Sequence, residues 1–411
     1  MSAVAETIEI GHLHAKANDA LARRNASVLA VAQALAGGNN TVIVATASIA
    51  GAMLAPDKGL ATLPITAMVF GMWFGSLPLG FLARHYGRRF ALQTGSLFGI
   101  SSGLISYTAV MQGSFALLLA GTFCGGLYAS AHQSYRFAAA DTASERFRAR
   151  AVSYVLAGGI FAAVLGPQLV IWTKDILSPH LFAASFLGQS ACALAAAVVL
   201  HFVRIPHFKA PAHHERRPLG AIVRQPRFMV AAACGMAAYA MMNMVMTSAP
   251  LAMVGCGHSV TEATLGIQWH VLAMYGPSFF TGGLIARYGV ERITGIGLAL
   301  ICVTAVVAMS GITVAHFWTA LVLLGIGWNL AFIGATTMVT QCHRADERTR
   351  VQAFNDFLVF GAMAVSSFSS GQLLETVGWA AINEVVIPVV LVVFALLMWT
   401  RLRNRAALQG A

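Results

Sequence analysis

Asp, Glu, Lys and Arg are absent from eight long runs of this 411-residue chain, at 25–56, 59–83, 90–135, 151–173, 176–203, 228–261, 263–286 and 293–343. A helix that crosses the hydrocarbon of a bilayer needs about 20 mostly apolar residues. Runs 90–135 and 293–343 are long enough for two such helices each, with turns predicted near 111–114 and 311–315, so the eight runs predict ten spans. Runs 351–374 and 376–400 each hold a single acid, Asp356 and Glu384, and raise the prediction to twelve.

The pattern also repeats. Shifted by 202 residues, Gly80, Leu82, Tyr86 and Gly87 fall on Gly282, Leu284, Tyr288 and Gly289. The same shift carries Glu145, Arg146, Arg148, Ala151 and Gly159 onto Glu347, Arg348, Arg350, Ala353 and Gly361. One offset serving two separate loops marks two related halves. The expected organisation is a tail at 1–24, a six-helix bundle at 25–203, a linker at 204–227, a second bundle at 228–401 and a tail at 402–411. The linker is basic and proline-bearing and shows no apolar face.

Composition agrees with this reading and charge orients it. Only 10% of residues are charged and mean hydropathy is +0.72, whereas a soluble chain carries about 25% charged residues. A net charge of +11 would suggest a nucleic-acid partner if the cations shared one compact face. They do not: with the N-terminus placed in the cytoplasm, 24 of the 26 Lys and Arg fall on the cytoplasmic side, leaving only Lys58 and Lys174 outside. That asymmetry is the positive-inside rule. It predicts a multi-pass protein of the plasma membrane with both termini cytoplasmic and no nucleic-acid partner. Residues 1–24 lack an apolar core and contain Glu6, Glu9 and Asp19, which predicts a disordered cytoplasmic tail rather than a signal peptide. The six cysteines are scattered without metal-ligand spacing, and the pair His213–His214 has no partner at such spacing. No nucleophile–base pair or phosphate-binding glycine loop is visible, so neither an enzyme nor a cofactor is expected.

Residues 80–89, GFLARHYGRR, fall in the turn between spans two and three. A twelve-helix chain with two related halves and G-x-L-x-x-x-x-G-R-R at this place resembles the major facilitator superfamily, over essentially its whole length. The resemblance implies an all-α integral membrane protein with twelve transmembrane helices in two pseudo-symmetric six-helix bundles. Gly80 is expected to let the second helix pack closely against the other half, Gly87 to form the turn, and Arg88 and Arg89 to stay on the cytoplasmic face. The family's loop usually carries an acid where Arg84 stands, so this loop gains a charge and loses a salt-bridge partner. Glu145 and Glu291 are candidates to replace that partner.

In such a fold the substrate sits between the halves near the midplane, and the resemblance implies that spans one, four, seven and ten line the cavity. Their polar and aromatic residues, with those of spans five and eight, supply the expected substrate-binding set: Gln33, Asn39, Asn40, Gln133, Tyr239, Asn243, Trp269, Trp328 and Asn329. Each amide has an alternative reading as an interhelical hydrogen bond with no ligand. The only acid between residues 25 and 140 is Asp57, in an outside turn. A neutral, amide-rich, aromatic cavity is therefore expected, suited to an uncharged solute and unsuited to phosphate esters, dicarboxylates or polyamines. Asp356, His132 and His270 are the candidates for proton coupling. Asp356 alternatively steadies the first turns of its own helix, paired with Arg348 or Arg350.

The expected function is secondary transport by alternating access, in a monomer that moves a small hydrogen-bonding solute and possesses groups able to couple protons. Segments 327–361 and 274–289 are similar to a bacterial branch of the superfamily that includes riboflavin uptake proteins. Two alternatives stand beside uptake. Gly158 and Gly166–Pro167 partly match an antiporter motif and suggest efflux of amphipathic compounds. A sensor or scaffold that transports nothing is the other.

Overall fold

A computed structural model describes residues 2–141, 143–205, 217–344 and 347–409, with the backbone alone at 2–18, 84, 141, 145–146, 148–149, 349 and 403–409. Its helices are α1 (Ser2–Leu54), α2 (Leu63–His85), α3 (Arg88–Gln112), α4 (Phe115–Gln133), α5 (Tyr135–Asp141), α6 (Glu145–Thr173), α7 (Ala183–Leu200), α8 (Leu219–Val223), α9 (Pro226–Gly255), α10 (Val260–Tyr275), α11 (Ser278–Tyr288), α12 (Val290–Met309), α13 (Val314–Thr340), α14 (Arg348–Thr376) and α15 (Trp379–Gln409). A 3-10 turn (Lys58–Leu60) follows α1. Among the described residues ten stretches are long and apolar enough to cross a membrane. The other two expected spans are α3, diluted by Gly, Ser and Thr, and the pair α10–α11, divided at Gly276 and Pro277.

Local chemistry sets the boundaries. Gly113 takes φ +64 after α3, and the Ser114 hydroxyl accepts from Leu117 N to cap α4, so the turn lies where it was predicted. Gly87 and Gly289, equivalent under the 202-residue shift, hold φ +90 and +88. That is the left-handed region, where glycine alone is unstrained, and each residue opens the helix after its loop.

The N-terminal segment differs from expectation, because α1 continues as helix from Ser2 into the membrane span. Residues 2–24 contain no proline and several alanines, so nothing in them stops a helix. The Asp19 carboxylate accepts from Ser144 N at 3.1 Å and from Ser144 Oγ at 2.9 Å. Asn25 brackets the backbone of Arg204, donating to its carbonyl at 2.8 Å and accepting from its N–H at 3.1 Å. The expected linker differs too. Residues 206–216 lie outside the described ones, but 219–223 form α8 and bury Ile222.

Small residues join α1 to α6. A Cβ added at Gly158 would stand 2.2 Å from Ala30 O, and one at Gly37 2.5 Å from the Ala162 methyl. In lipid, such close approach substitutes for the missing hydrophobic drive between helices. The two halves meet at the end of the molecule opposite the arginine-rich loops. There Thr62 Oγ1 donates to Ser367 O (3.1 Å), Thr66 Oγ1 to Ser367 Oγ (3.1 Å), Gln372 Nε2 to Gly59 O (3.2 Å) and Gln168 Nε2 to Gln268 Oε1 (2.9 Å). At the arginine-rich end a Cβ on Gly80, Gly282 or Gly283 would meet nothing within 4 Å. Among the described residues nothing approaches Gly80 so closely that it requires a glycine there.

Candidate transport cavity

A cavity of about 190 Å³ lies between the halves. A second, of about 210 Å³, continues it toward the arginine-rich end and shares Met72, Gln133, Arg136, Asp356 and Phe360 with it. Together they reach the size of small-molecule sites, roughly 300–1,000 Å³.

Helical periodicity decides which residues reach it. The cavity stripe of α1 is Gln33, Gly37, Asn40, Thr41 and Val44, which is the i, i+4, i+7, i+8, i+11 spacing of one helix face. From α4 come His132 and Gln133, from α9 Tyr239, Met242 and Met246, from α10 Val271, Met274 and Tyr275, and from α13 Trp328 and Phe332. The aromatic rings form one assembly. Trp328 stacks on Phe332 at 5.1 Å with 14° between planes, and Tyr239 meets Trp328 edge-on at 5.2 Å, Phe332 at 4.9 Å and Phe360 at 6.4 Å. Six methionines, Met68, Met72, Met242, Met246, Met274 and Met363, complete the wall.

Five of the nine expected substrate residues line this space: Gln33, Asn40, Gln133, Tyr239 and Trp328. Asn40 Oδ1, His132 Nε2 and Trp328 Nε1 are buried without a protein partner. A buried polar atom left unpaired costs about 1–3 kcal/mol, so these three atoms point to a ligand or to ordered water. Gln33 Nε2 stands 3.5 Å from His132 Nδ1, and Gln133 Nε2 stands 3.7 Å from Met72 Sδ.

The other four lie elsewhere. Asn39, 100° around α1 from Asn40, donates to Gln189 O at 2.9 Å inside the first bundle. Asn243 donates to Met363 O at 3.2 Å and ties α9 to α14. Asn329 donates to Met274 O (2.6 Å) and Ser278 Oγ (2.7 Å) and accepts from Thr281 Oγ1 (2.7 Å). It thus serves the carbonyl freed where Pro277 interrupts the helix. Trp269 is 44% exposed on the outer side of α10, because the cavity face of that helix is set by Val271, Met274 and Tyr275.

The candidate coupling and gating residues divide in the same way. His132 and Asp356 line the cavity, and Gly80 and Arg88 line its continuation. His270 is fully buried between α10 and α13, with Nδ1 2.8 Å from Leu321 O. Gly87 makes the turn. Arg89 Nη2 lies 3.0 Å from His201 Nδ1 at the surface. The side chains of Arg84 and Glu145 lie outside the described ones, and Glu291 pairs with Arg227 at 3.6 Å.

Sequence reasoning missed Arg136, Tyr275, Phe332, Phe360 and the methionines. Arg136 follows directly on the uncharged run 90–135 and counts among the cytoplasmic cations by charge pattern, but it lies on α5 and lines the cavity. The cavity is accordingly not neutral, since Arg136 and Asp356 both face it. Outside the membrane, the carboxyl of Glu347 is held well below the ordinary carboxylate range. The Arg217 side chain clasps it (Nε–Oε1 2.7 Å, Nη2–Oε2 2.6 Å), Arg344 N donates to it at 2.9 Å, and these bonds hold its carboxyl at about 2.

The chain is 48% identical to the riboflavin transporter RfnT of Brucella anthropi, over 94% of this chain and 98% of that one. It is 28% identical to YddS of Bacillus subtilis, an uncharacterized MFS-type transporter, over 83% of this chain and 85% of that protein. Among solved structures it resembles the nucleoside transporter NupG (TM-score 0.70, 12% identity, 92% of this chain and 99% of that chain). It also resembles the xylose transporter XylE of E. coli in a partially occluded inward-open conformation (TM-score 0.70, 11% identity, 92% and 97%). At such identities these two likenesses speak to the fold alone. The family model of the Major Facilitator Superfamily matches residues 29–365. With the twelve-span architecture and a cavity between two related halves, that match makes the chain a multi-pass membrane transporter belonging to the major facilitator superfamily.

Proposed function

We propose that this transporter carries riboflavin into the cell across the bacterial inner membrane. The observation that carries the reading is the 48% identity to a riboflavin transporter over nearly the full length of both chains. The cavity is chemically suited to that solute. Riboflavin is uncharged at neutral pH and presents a flat tricyclic ring, for which Trp328, Phe332 and Tyr239 offer faces and edges. Each aromatic pairing adds about 0.5–1.5 kcal/mol beyond burial, and thioether–ring contacts add about 0.3–1.5 kcal/mol. Gln33, Asn40, His132 and Gln133 supply donors and acceptors for the ribityl hydroxyls.

In this reading the arginine-rich end is cytoplasmic and the structure is the inward-open state. Residues 25–203 and 228–401 rock about the cavity, and 204–227 joins them on the cytoplasmic side. One chain encloses the whole cavity, so the working unit is a monomer. Gly158 and Gly166, which suggested efflux, are occupied in packing against α1 and carry no information on direction.

The test is growth of a riboflavin-auxotrophic bacterium at low external riboflavin. Expression of this chain is expected to restore growth. Absence of rescue, with the protein present in the membrane, refutes the reading and brings efflux forward. Reporter fusions at Pro218 and Ala411 are expected to report cytoplasm and one at Lys174 the outside.

A further inference from the structure

Arg136 and Asp356 are the two charged side chains lining the central cavity, and the transport of a neutral solute does not by itself explain them. They come from opposite halves, Arg136 from α5 and Asp356 from α14. Both line the central cavity and its continuation, and no ion pair within 4 Å joins them among the described residues. Both side chains are exposed to the cavity and its mouth. Asp356 lies four residues before Phe360 on α14, about 6 Å of rise, and the Phe360 ring is 6.4 Å from Tyr239. A planar ligand laid against the aromatic assembly therefore shares one cavity with this pair.

Resting on the riboflavin reading, we propose that Arg136 and Asp356 determine specificity by binding the imide edge of the flavin ring. That edge runs carbonyl, N–H, carbonyl. A carboxylate beside a guanidinium is its complement: Asp356 accepts from the imide N3–H while Arg136 donates to a flanking carbonyl. Both hydrogen bonds involve an ionised group, the stronger class. A ligand that loses the N–H leaves the carboxylate without its donor, which costs about tenfold or more in affinity.

Fluorescence titration of the purified full-length protein tests this, with riboflavin and N3-methylriboflavin as probes. The wild type is expected to bind N3-methylriboflavin at least about tenfold more weakly than riboflavin. In Asp356→Ala, riboflavin is expected to bind about tenfold more weakly, and the ratio between the two flavins to fall below about threefold. Asp356→Asn keeps an acceptor oxygen without a titratable group, so the ratio is expected to survive there. Equal binding of both flavins by the wild type overturns the proposal, as does a ratio unchanged in Asp356→Ala or lost in Asp356→Asn. If Asp356→Ala fails to fold, Asp356→Val, close in volume, takes its place. A wild type that binds no riboflavin refutes the functional reading itself, an outcome distinct from a wild type that binds riboflavin without heeding the imide.

Discussion

Two tryptophans and two asparagines separate ligand chemistry from structural chemistry within one cavity. Trp328 faces the space and Trp269 the exterior, so Trp328→Ala is expected to weaken riboflavin binding about tenfold or more, by loss of stacking and of a desolvated indole. Trp269→Ala should leave binding within about twofold, because an exposed side chain away from the site changes little; a flavin titration of both variants checks the contrast. Asn40 and Asn329 form a second contrast. Asn40→Ala removes an unpartnered cavity amide, and the expected result is weaker binding with little change in melting temperature. Asn329→Ala strands Met274 O, Ser278 and Thr281, at about 1–3 kcal/mol for each buried group left unpaired. Its signature is a lowered melting temperature, and a variant as stable as the wild type would remove Asn329 from that structural role.

Helices in this protein are held by close contact and by caps at their ends. A Cβ at Gly166 would stand 1.9 Å from Thr41 Oγ1 and 2.6 Å from Gly38 O, so Gly166→Ala must push α6 off α1. Overpacking of this kind costs about 1–3 kcal/mol, readable as a downward shift in a thermal melt followed by size-exclusion chromatography. At the arginine-rich surface, the Arg217–Glu347 clasp ties the segment entering α8 to the start of α14. A carboxyl held down near 2 contributes stability that is complete above the ordinary carboxylate range and is lost only as pH falls through about 2. Tryptic cleavage of the linker is therefore expected to be the same at pH 5.5 and pH 8 after correction for the protease's own rate. Glu347→Gln is expected to accelerate it at both.

Across the whole molecule, the hydrogen bonds of Thr62, Thr66, Gln168 and Gln372 between the halves at the closed end join neutral hydroxyls and amides, while the arginine-rich loops stand at the open end. Opening the outer side requires Thr66 and Ser367 to part. The double variant Thr66→Cys, Ser367→Cys places two thiols where the hydroxyls now lie 3.1 Å apart. Its oxidation is expected to arrest transport and reduction to restore it; a cross-linked protein that still transports would show that this contact does not open. Coupling is tested at the same scale. If Asp356 carries a proton during the cycle, Asp356→Asn abolishes uphill accumulation in vesicles while exchange of labelled for unlabelled riboflavin continues. Normal accumulation by that variant would leave Asp356 with recognition alone.

The span count, the two turns at 111–114 and 311–315, and the repeat were legible in the sequence because each follows from local rules. Absence of charge over about 20 residues, a glycine where φ is positive and a cap at the next helix start act within a few residues of chain. The same locality put Gln33 and Asn40 on one face of α1, seven residues apart. What tertiary structure alone decided is which way each helix is turned. Asn39 and Asn40, Trp269 and Val271, or Trp328 and Asn329 differ by one or two residues in sequence and by 100° or 200° about an axis. Only packing against α7, α10 and α14 selects the member that faces the cavity. Arg136 and Asp356 are 220 residues apart and belong to different halves, so no local pattern relates them. They share one cavity because the halves close at one end and stand open at the other.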